Sequence, residues 1–203
     1  TLQLYHRLFP ELKNQQLESL YFQLEGPLIP VLKTMERNGI SLDVPFLNNL
    51  SLQLQTDITS LEQEIYQLAG KTFNTASPKQ VGETLFEHLK ISESPKKTKT
   101  GQYATSEEIL LRLESAHPIV SKILDFRELQ KLKSTYVDAL PQLVHPRTGR
   151  IHTTLNQVVA VTGRLSSDNP NLQNIPVRNP RGRQIRKAFI ASQQHLLLSA
   201  DYS

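Results

Sequence analysis

The sequence contains no cysteine, which removes disulfide frameworks, thiolate metal sites, iron–sulfur clusters and thiol catalysis from consideration. No window approaches the ~18 consecutive apolar residues that a membrane span needs. Thr1 to Leu8 also lacks the basic-then-apolar order of a secretory signal. A soluble, intracellular protein is the expectation. Histidine is sparse: His6, His88, His117, His145, His152 and His195 include no pair four residues apart, so the helical zinc-binding spacing is missing. Acid is scarce in the last third, where only Asp168 and Asp201 occur between 141 and 203. That scarcity limits how many carboxylates this segment can offer a metal.

What is present is enough for one medium domain or two small ones, with 203 residues of which 38% are hydrophobic. The formal net charge is +4, but it is unevenly placed. Residues 1–140 carry 15 basic and 17 acidic side chains, whereas 141–203 carry eight basic against two acidic. Arg178, Arg181, Arg183, Arg186 and Lys187 fall within ten residues with no acid among them, a local positive field suited to polyanions. A plain solvated basic surface would show the same pattern.

The clearest periodicity starts after Asp43, a helix-capping residue. Leu47, Leu50, Leu54, Ile58, Leu61, Ile65 and Leu68 recur at spacings of three and four, which predicts one long helix to Gly70. Before it, Asn14–Leu24 and Pro27–Arg37 read as short helices, and Asn38-Gly39 supplies a left-handed stop. Ser77-Pro78-Lys79-Gln80 has the cap, first-turn proline and following glutamine that open a helix to about Leu89. The stretch SPKKTKTGQ has nothing to bury and reads as an exposed, mobile loop. Thr105 with Glu108 reads as a capping box for a helix to Glu114. Pro118 then begins a long helix to Leu140, with Leu129, Leu132, Tyr136 and Leu140 on its apolar face. After Pro141 the texture turns to strands, with a turn at His145–Arg150 between extended runs and strands expected over Ile151–Asn156 and Gln157–Val161. Ser166–Asn174 reads as a polar loop and Arg183–Phe189 as a short helix. The run Leu196–Ala200 reads as a buried strand that delivers Asp201 at its end.

Arg164, Asn171, Gln173 and Asn174 form the densest group of side chains able to hydrogen-bond bases and phosphates. Guanidinium and amide groups suit the acceptors of a minor groove, where shape dominates over base identity. Polar turn residues that satisfy one another are the simpler alternative. The order TGRLSSDNPNLQNIPVRNPRGRQIRKAFI, followed by LLSADYS, closely resembles the A-family DNA polymerases of the bacterial DNA polymerase I type. The resemblance continues upstream through KLKSTYVDALPQLVHPRTGRIHTT, SPKKTKTGQYATSEEIL, ERNGISLD and TLQLYHRLF, and so covers nearly the whole chain.

That resemblance implies an α+β architecture. Residues 1–24 would be the tail of a 3′–5′ exonuclease domain, 25–140 a helical thumb with its tip at about 92–104, and 141–203 the first, incomplete antiparallel strands of a palm. Asp201 would be a catalytic aspartate and Mg²⁺ ligand at the primer 3′ end, and Arg164 would contact the primer-terminal base pair. Asn171, Gln173 and Asn174 would line the template–primer track, with Arg178 near the incoming dNTP. Lys131, Lys133, Ser134 and Thr135, with Lys96, Lys97 and Lys99, would grip the duplex backbone. It also implies a cytoplasmic, nucleoid-associated protein with no membrane partner, whose complete form uses two Mg²⁺ ions and primer–template DNA.

Two-ion phosphoryl transfer needs more than one carboxylate. In the family the partner follows later in a His-Asp-Glu sequence, beyond a fingers helix that is also missing here, and exonuclease carboxylates would precede Thr1. A fragment unable to polymerise or proofread is therefore expected, with a tendency to associate through an uncovered palm edge. A non-catalytic duplex-binding module is the alternative, and a helical scaffold without a nucleic-acid role is the weaker third.

Overall fold

Gly39 ends the first helical region, as its sequence context predicts. In the computed structural model, which describes residues 1–177 and 180–201, this region comprises α1 (Leu2–Asn14), α2 (Glu18–Leu20) running into a π turn at Tyr21–Glu25, and α3 (Gly26–Asn38). The helix expected over Asn14–Leu24 is corrected: Asn14 ends a helix. Gln16 adopts φ +58°, and the Gln16 N–H and Leu17 N–H close onto the Lys13 and Leu12 carbonyls, the left-handed stop usually made by glycine.

Gly39 itself sits at φ 63°, ψ −172°, a region open essentially to glycine alone. It turns the chain into β1 (Ile40–Leu42). There, a Cβ at position 39 would lie 2.6 Å from the Ile151 carbonyl oxygen and 2.8 Å from the His152 ring.

α4 (Val44–Ala69) follows. Its buried residues are Leu47, Leu50, Leu54, Ile58, Leu61 and Ile65, with Ala69 in place of the expected Leu68. α5 (Pro78–Glu83) opens where expected, with Ser77 Oγ accepting from the Gln80 N–H, and passes into a π turn at Thr84–His88. α6 (Glu107–Arg112) begins after Ser106. The Thr105 capping box does not form, because the Thr105 carbonyl and hydroxyl both accept from the Arg127 guanidinium. Burial lowers the pKa of that guanidinium.

α7 (Ile119–Leu132) packs along α4, but the single long helix expected to Leu140 is broken. A π turn occupies Lys133–Val137, and α8 (Ala139–Gln142) follows. Fully buried Ile119, Ile123, Phe126 and Leu129 on α7, with Leu47 and Ile65 on α4, make the core of the unit Val44–Ala139.

Thr1–Asp43 and Leu140–Ser203 form the other compact unit. Residues 25–43 thus group with the strands. The cause is β1, which lies between β2 (Arg150–Ile151) and β5 (Phe189–Ile190) in an antiparallel sheet of order β2-β1-β5. β3 (Thr154–Asn156) and β4 (Ser166–Asp168) make a separate antiparallel pair. α9 (Pro180–Arg186) starts and ends earlier than the expected Arg183–Phe189 helix, whose last residue instead belongs to β5.

Gln157–Val161 is no strand: Val158 and Val161 are almost fully exposed. β-branched residues favour a strand only where a neighbour packs against them. Ser166–Asp168 of the expected polar loop is paired as β4. The chain therefore has the mixed helical and small antiparallel character expected of it.

Candidate nucleic-acid interface

In the unit containing both termini, the β3–β4 pair supports the polar loop. Buried Ser167 places its hydroxyl 2.7 Å from that of Thr153, and it also accepts from the Leu172 N–H. Thr153 in turn reaches the Asp168 and Pro170 carbonyls. β3 is fastened to the preceding helices through carboxylates. Glu36 Oε1 accepts from the Leu155 N–H at 2.6 Å, and Glu25 Oε2 from the Gln157 amide at 2.6 Å.

On this support Asn171 Oδ1 accepts from the Gln173 and Asn174 N–H groups at 3.0 and 3.2 Å, and Gln173 Nε2 donates to the Leu165 carbonyl at 2.8 Å. Asn171, Gln173 and Asn174 are thus brought into one tight exposed loop, and Arg164 is exposed just before it. Part of the amide capacity of Asn171 and Gln173 holds the loop itself together.

α9 presents two faces. Gly182 and Ile185, with Ala188 beyond the helix, are buried, whereas Arg183, Arg186 and Lys187 are exposed. Arg178 lies outside the described residues. Asp201 is exposed, but the buried strand expected before it is absent: Leu196 and Leu198 are 95% and 93% exposed. No strand of the described residues pairs with this run, and a lone strand has no hydrogen-bond ladder to hold it.

The donor set for divalent ions is correspondingly thin. Asp168 Oδ2 accepts from the Asn156 amide at 2.8 Å, and no cluster of three His, Asp or Glu side chains suited to a metal occurs among the described residues. These residues do not fit a two-ion centre.

The unit Val44–Ala139 carries the lysines. The lysine stretch is not the featureless loop expected. Lys97 and Tyr103 form an antiparallel bridge, and Thr98 N–H donates to the Gln102 carbonyl at 2.7 Å. Lys97 Nζ lies 5.1 Å from the centre of the Tyr103 ring, which contacts Phe86. Gly82 admits this packing, since a Cβ there would stand 2.7 Å from Tyr103 Cβ. Lys96, Lys97 and Lys99 remain exposed on the resulting hairpin.

At the end of α7, Lys131, Ser134 and Thr135 are exposed. Lys133 differs: its Nζ is 2.7 Å from Asp138 Oδ2, and Asp138 Oδ1 accepts from Ser51 Oγ at 2.6 Å. Burial pushes the Asp138 carboxyl up, but the hydrogen bonds from Lys133 and Ser51 and the lysine charge leave it below its ordinary value.

The family model for DNA polymerase family A matches residues 44–203. The chain belongs to DNA polymerase family A. It is 52% identical over 200 residues to the thermostable DNA polymerase I of Thermus filiformis, an alignment spanning 98% of this chain and 24% of that protein. It is 51% identical over 204 residues to DNA polymerase I of Rhizobium leguminosarum, at 100% and 20% coverage. The POL domain of Pol1 from M. smegmatis, solved in complex with DNA primer-template and dNTP, superposes with a TM-score of 0.85 at 41% identity. That alignment covers 95% of this chain and 34% of that one. The chain spans about a quarter or less of the length of these curated relatives.

Family membership does not by itself locate the residues that sequence reasoning missed. Tyr103, which anchors the lysine hairpin, lies just past the polar stretch that drew attention. Asp138 stands five residues after Lys133, a separation at which α-helical spacing brings no pair together. Glu36 binds a strand far along the chain and leaves no local signal at all.

Proposed function

We propose that this chain is the duplex-gripping and palm-opening portion of a template-directed DNA polymerase, whose whole form transfers nucleotides to a primer 3′ end. The observation that carries this reading is family membership through the segment holding Arg164, Asn171, Gln173, Asn174 and Asp201. The neighbouring polymerase domain that holds primer–template DNA and dNTP supports it.

Arg164 and the 171–174 loop would face the minor groove near the primer end. Lys131, Lys133, Ser134, Thr135 and hairpin lysines 96, 97 and 99 would hold phosphates of the duplex. Residues 25–140 would then act as thumb and 141–203 as the start of a palm, with residues 1–24 continuing from an exonuclease-like domain. Arg178 would serve the incoming dNTP. Asp201 would give one carboxylate to a Mg²⁺ site that other residues complete. A place at the nucleoid belongs to the same proposal.

Binding of a primer–template duplex, followed by fluorescence anisotropy across salt concentrations, tests the reading. Each phosphate neutralised contributes about 0.9 to the slope of log K against log salt. Salt-steep binding that Arg164→Ala and a Lys96/Lys97/Lys99→Gln variant each weaken is the expected outcome, and salt-independent binding or none overturns it.

A second reading, duplex grip without chemistry by this chain, is favoured because the exposed Asp201 stands in no group of three metal-ligating side chains among the described residues, and Asp168 is engaged with Asn156. Primer extension with Mg²⁺ and dNTPs is expected to be blank; extension by the chain alone would refute that reading.

A further inference from the structure

The π turn at the end of α7 brings together two side chains that an α-helix would hold apart. At 3.6 residues per turn, positions five apart point about 140° away from each other. Here the Asp138 N–H closes onto the Lys133 carbonyl at 2.9 Å, an i+5 bond. The extra residue in the turn stacks Asp138 over Lys133, so that Nζ and Oδ2 meet at 2.7 Å. Such single π turns inside α-helices occur often at functional positions.

The pair is not a loose surface contact. The Lys133 side chain is only 18% exposed. The second carboxylate oxygen is held at 2.6 Å by the hydroxyl of Ser51, which projects from α4. Two elements of one compact unit, α4 and the π turn, thus fix this carboxylate against this ammonium. Around it Lys131, Ser134 and Thr135 are exposed, and Ser134 Oγ donates to the Gln130 carbonyl.

We infer that Asp138, oriented by Ser51 and the π turn, is a positioning residue that occupies Lys133 as an internal stand-in for phosphate and so moderates the grip on duplex DNA. This inference rests on the reading of 131–135 as a duplex-backbone contact. A DNA phosphate that approaches Lys133 must share or displace the carboxylate. The exchange of one anion for another keeps the ammonium paired in both states, so the net gain on binding is small and release is easy, as a protein that translates along its duplex requires.

The experiment measures affinity of the full chain for a primer–template duplex across a salt series, comparing the unsubstituted protein with Asp138→Asn, Ser51→Ala, Lys133→Met and the Asp138→Asn/Lys133→Met double variant. Thermal unfolding checks that each is folded. Asp138→Asn is expected to bind about three- to tenfold more tightly at low salt, with a salt slope steeper by about 0.9. Ser51→Ala is expected to move affinity the same way by less. Lys133→Met weakens binding, and in its background the effect of Asp138→Asn disappears.

If Asp138→Asn leaves affinity and slope unchanged, weakens binding, or acts equally without Lys133, the inference is wrong while the duplex-grip reading stands. If Lys133→Met binds as well as the unsubstituted chain, the inference falls alone; if the unsubstituted chain shows no salt-dependent binding at all, both fall together.

Discussion

The carboxyl of Asp138 is drawn in opposite directions, up by partial burial and down by Lys133 and Ser51, and settles below the ordinary aspartate value of 3.8. A carboxyl with a depressed folded-state value contributes stability above its unfolded-state value, and loses that contribution as the pH falls through the folded one. The stability advantage of the unsubstituted chain over Asp138→Asn is therefore expected to be full near neutrality and to fade as the pH falls through and below the ordinary aspartate range. The Asp138 side chain is 45% exposed, so solvent screening keeps the advantage within about 1 kcal/mol. Urea unfolding of both proteins across that range reads it, and an advantage that grows on acidification would be the wrong sign. Gly39 makes a different residue-scale claim. Its φ of 63° and the 2.6 Å approach of the Ile151 oxygen leave no room for a methyl group, and Gly39→Ala is expected to cost on the order of 1–3 kcal/mol in strain alone. An unchanged urea midpoint would show that β1 and β2 yield without cost.

Among the elements, the lysine hairpin depends on a helix glycine. Gly82→Ala would set a methyl group 2.7 Å from Tyr103 Cβ, and overpacking of this kind typically costs about 1–3 kcal/mol. Amide exchange should speed up at Thr98 and Ala104, whose N–H groups hold the hairpin, while α7 stays protected; equal protection in both proteins would contradict the anchoring role of Tyr103. On β3, Glu36→Ala strands the Leu155 N–H, a loss of about 1–3 kcal/mol if that group stays buried. Glu36→Gln, which keeps an acceptor oxygen, should recover most of it. These elements also mark where the sequence was readable. α4 was legible because its six buried leucines and isoleucines repeat over a long window, and α5 because Ser77 and Pro78 act within one turn. The sheet was not. β1, β2 and β5 are two or three residues long and are specified by partners far along the chain, whereas the β-branched valines at 158, 159 and 161 mimic a strand without a neighbour. The π turns leave the apolar spacing almost intact, so Lys133–Val137 reads as plain helix. At the interface, Arg164 and the amides at 171, 173 and 174 could be named from their chemistry. Their mutual hydrogen bonds, like the pairing of Lys133 with Asp138, follow only from coordinates.

For the molecule as a whole, charge and apolar exposure have separate consequences. The basic excess of residues 141–203 makes a field that ions screen, so association with a polyanion should weaken steeply with salt. The exposed leucines at 196 and 198 would make a contact that salt does not weaken. Exposed apolar runs of this kind favour association, and light scattering is expected to show a mass that rises with protein concentration and returns to monomer in a Leu196→Ser/Leu198→Ser variant. A monomer at every concentration before substitution would remove the basis for that expectation. A last consequence comes from the placement of β1 between strands that begin at Arg150 and Phe189. Val44–Ala139 is continuous and can condense as soon as it clears the ribosome. The helices before it cannot complete their sheet until synthesis, at roughly 5–20 residues per second, has delivered the distant strands. Birth order and assembly order of these segments therefore run in opposite directions, and residues 1–43 spend those seconds exposed to chaperones and proteases.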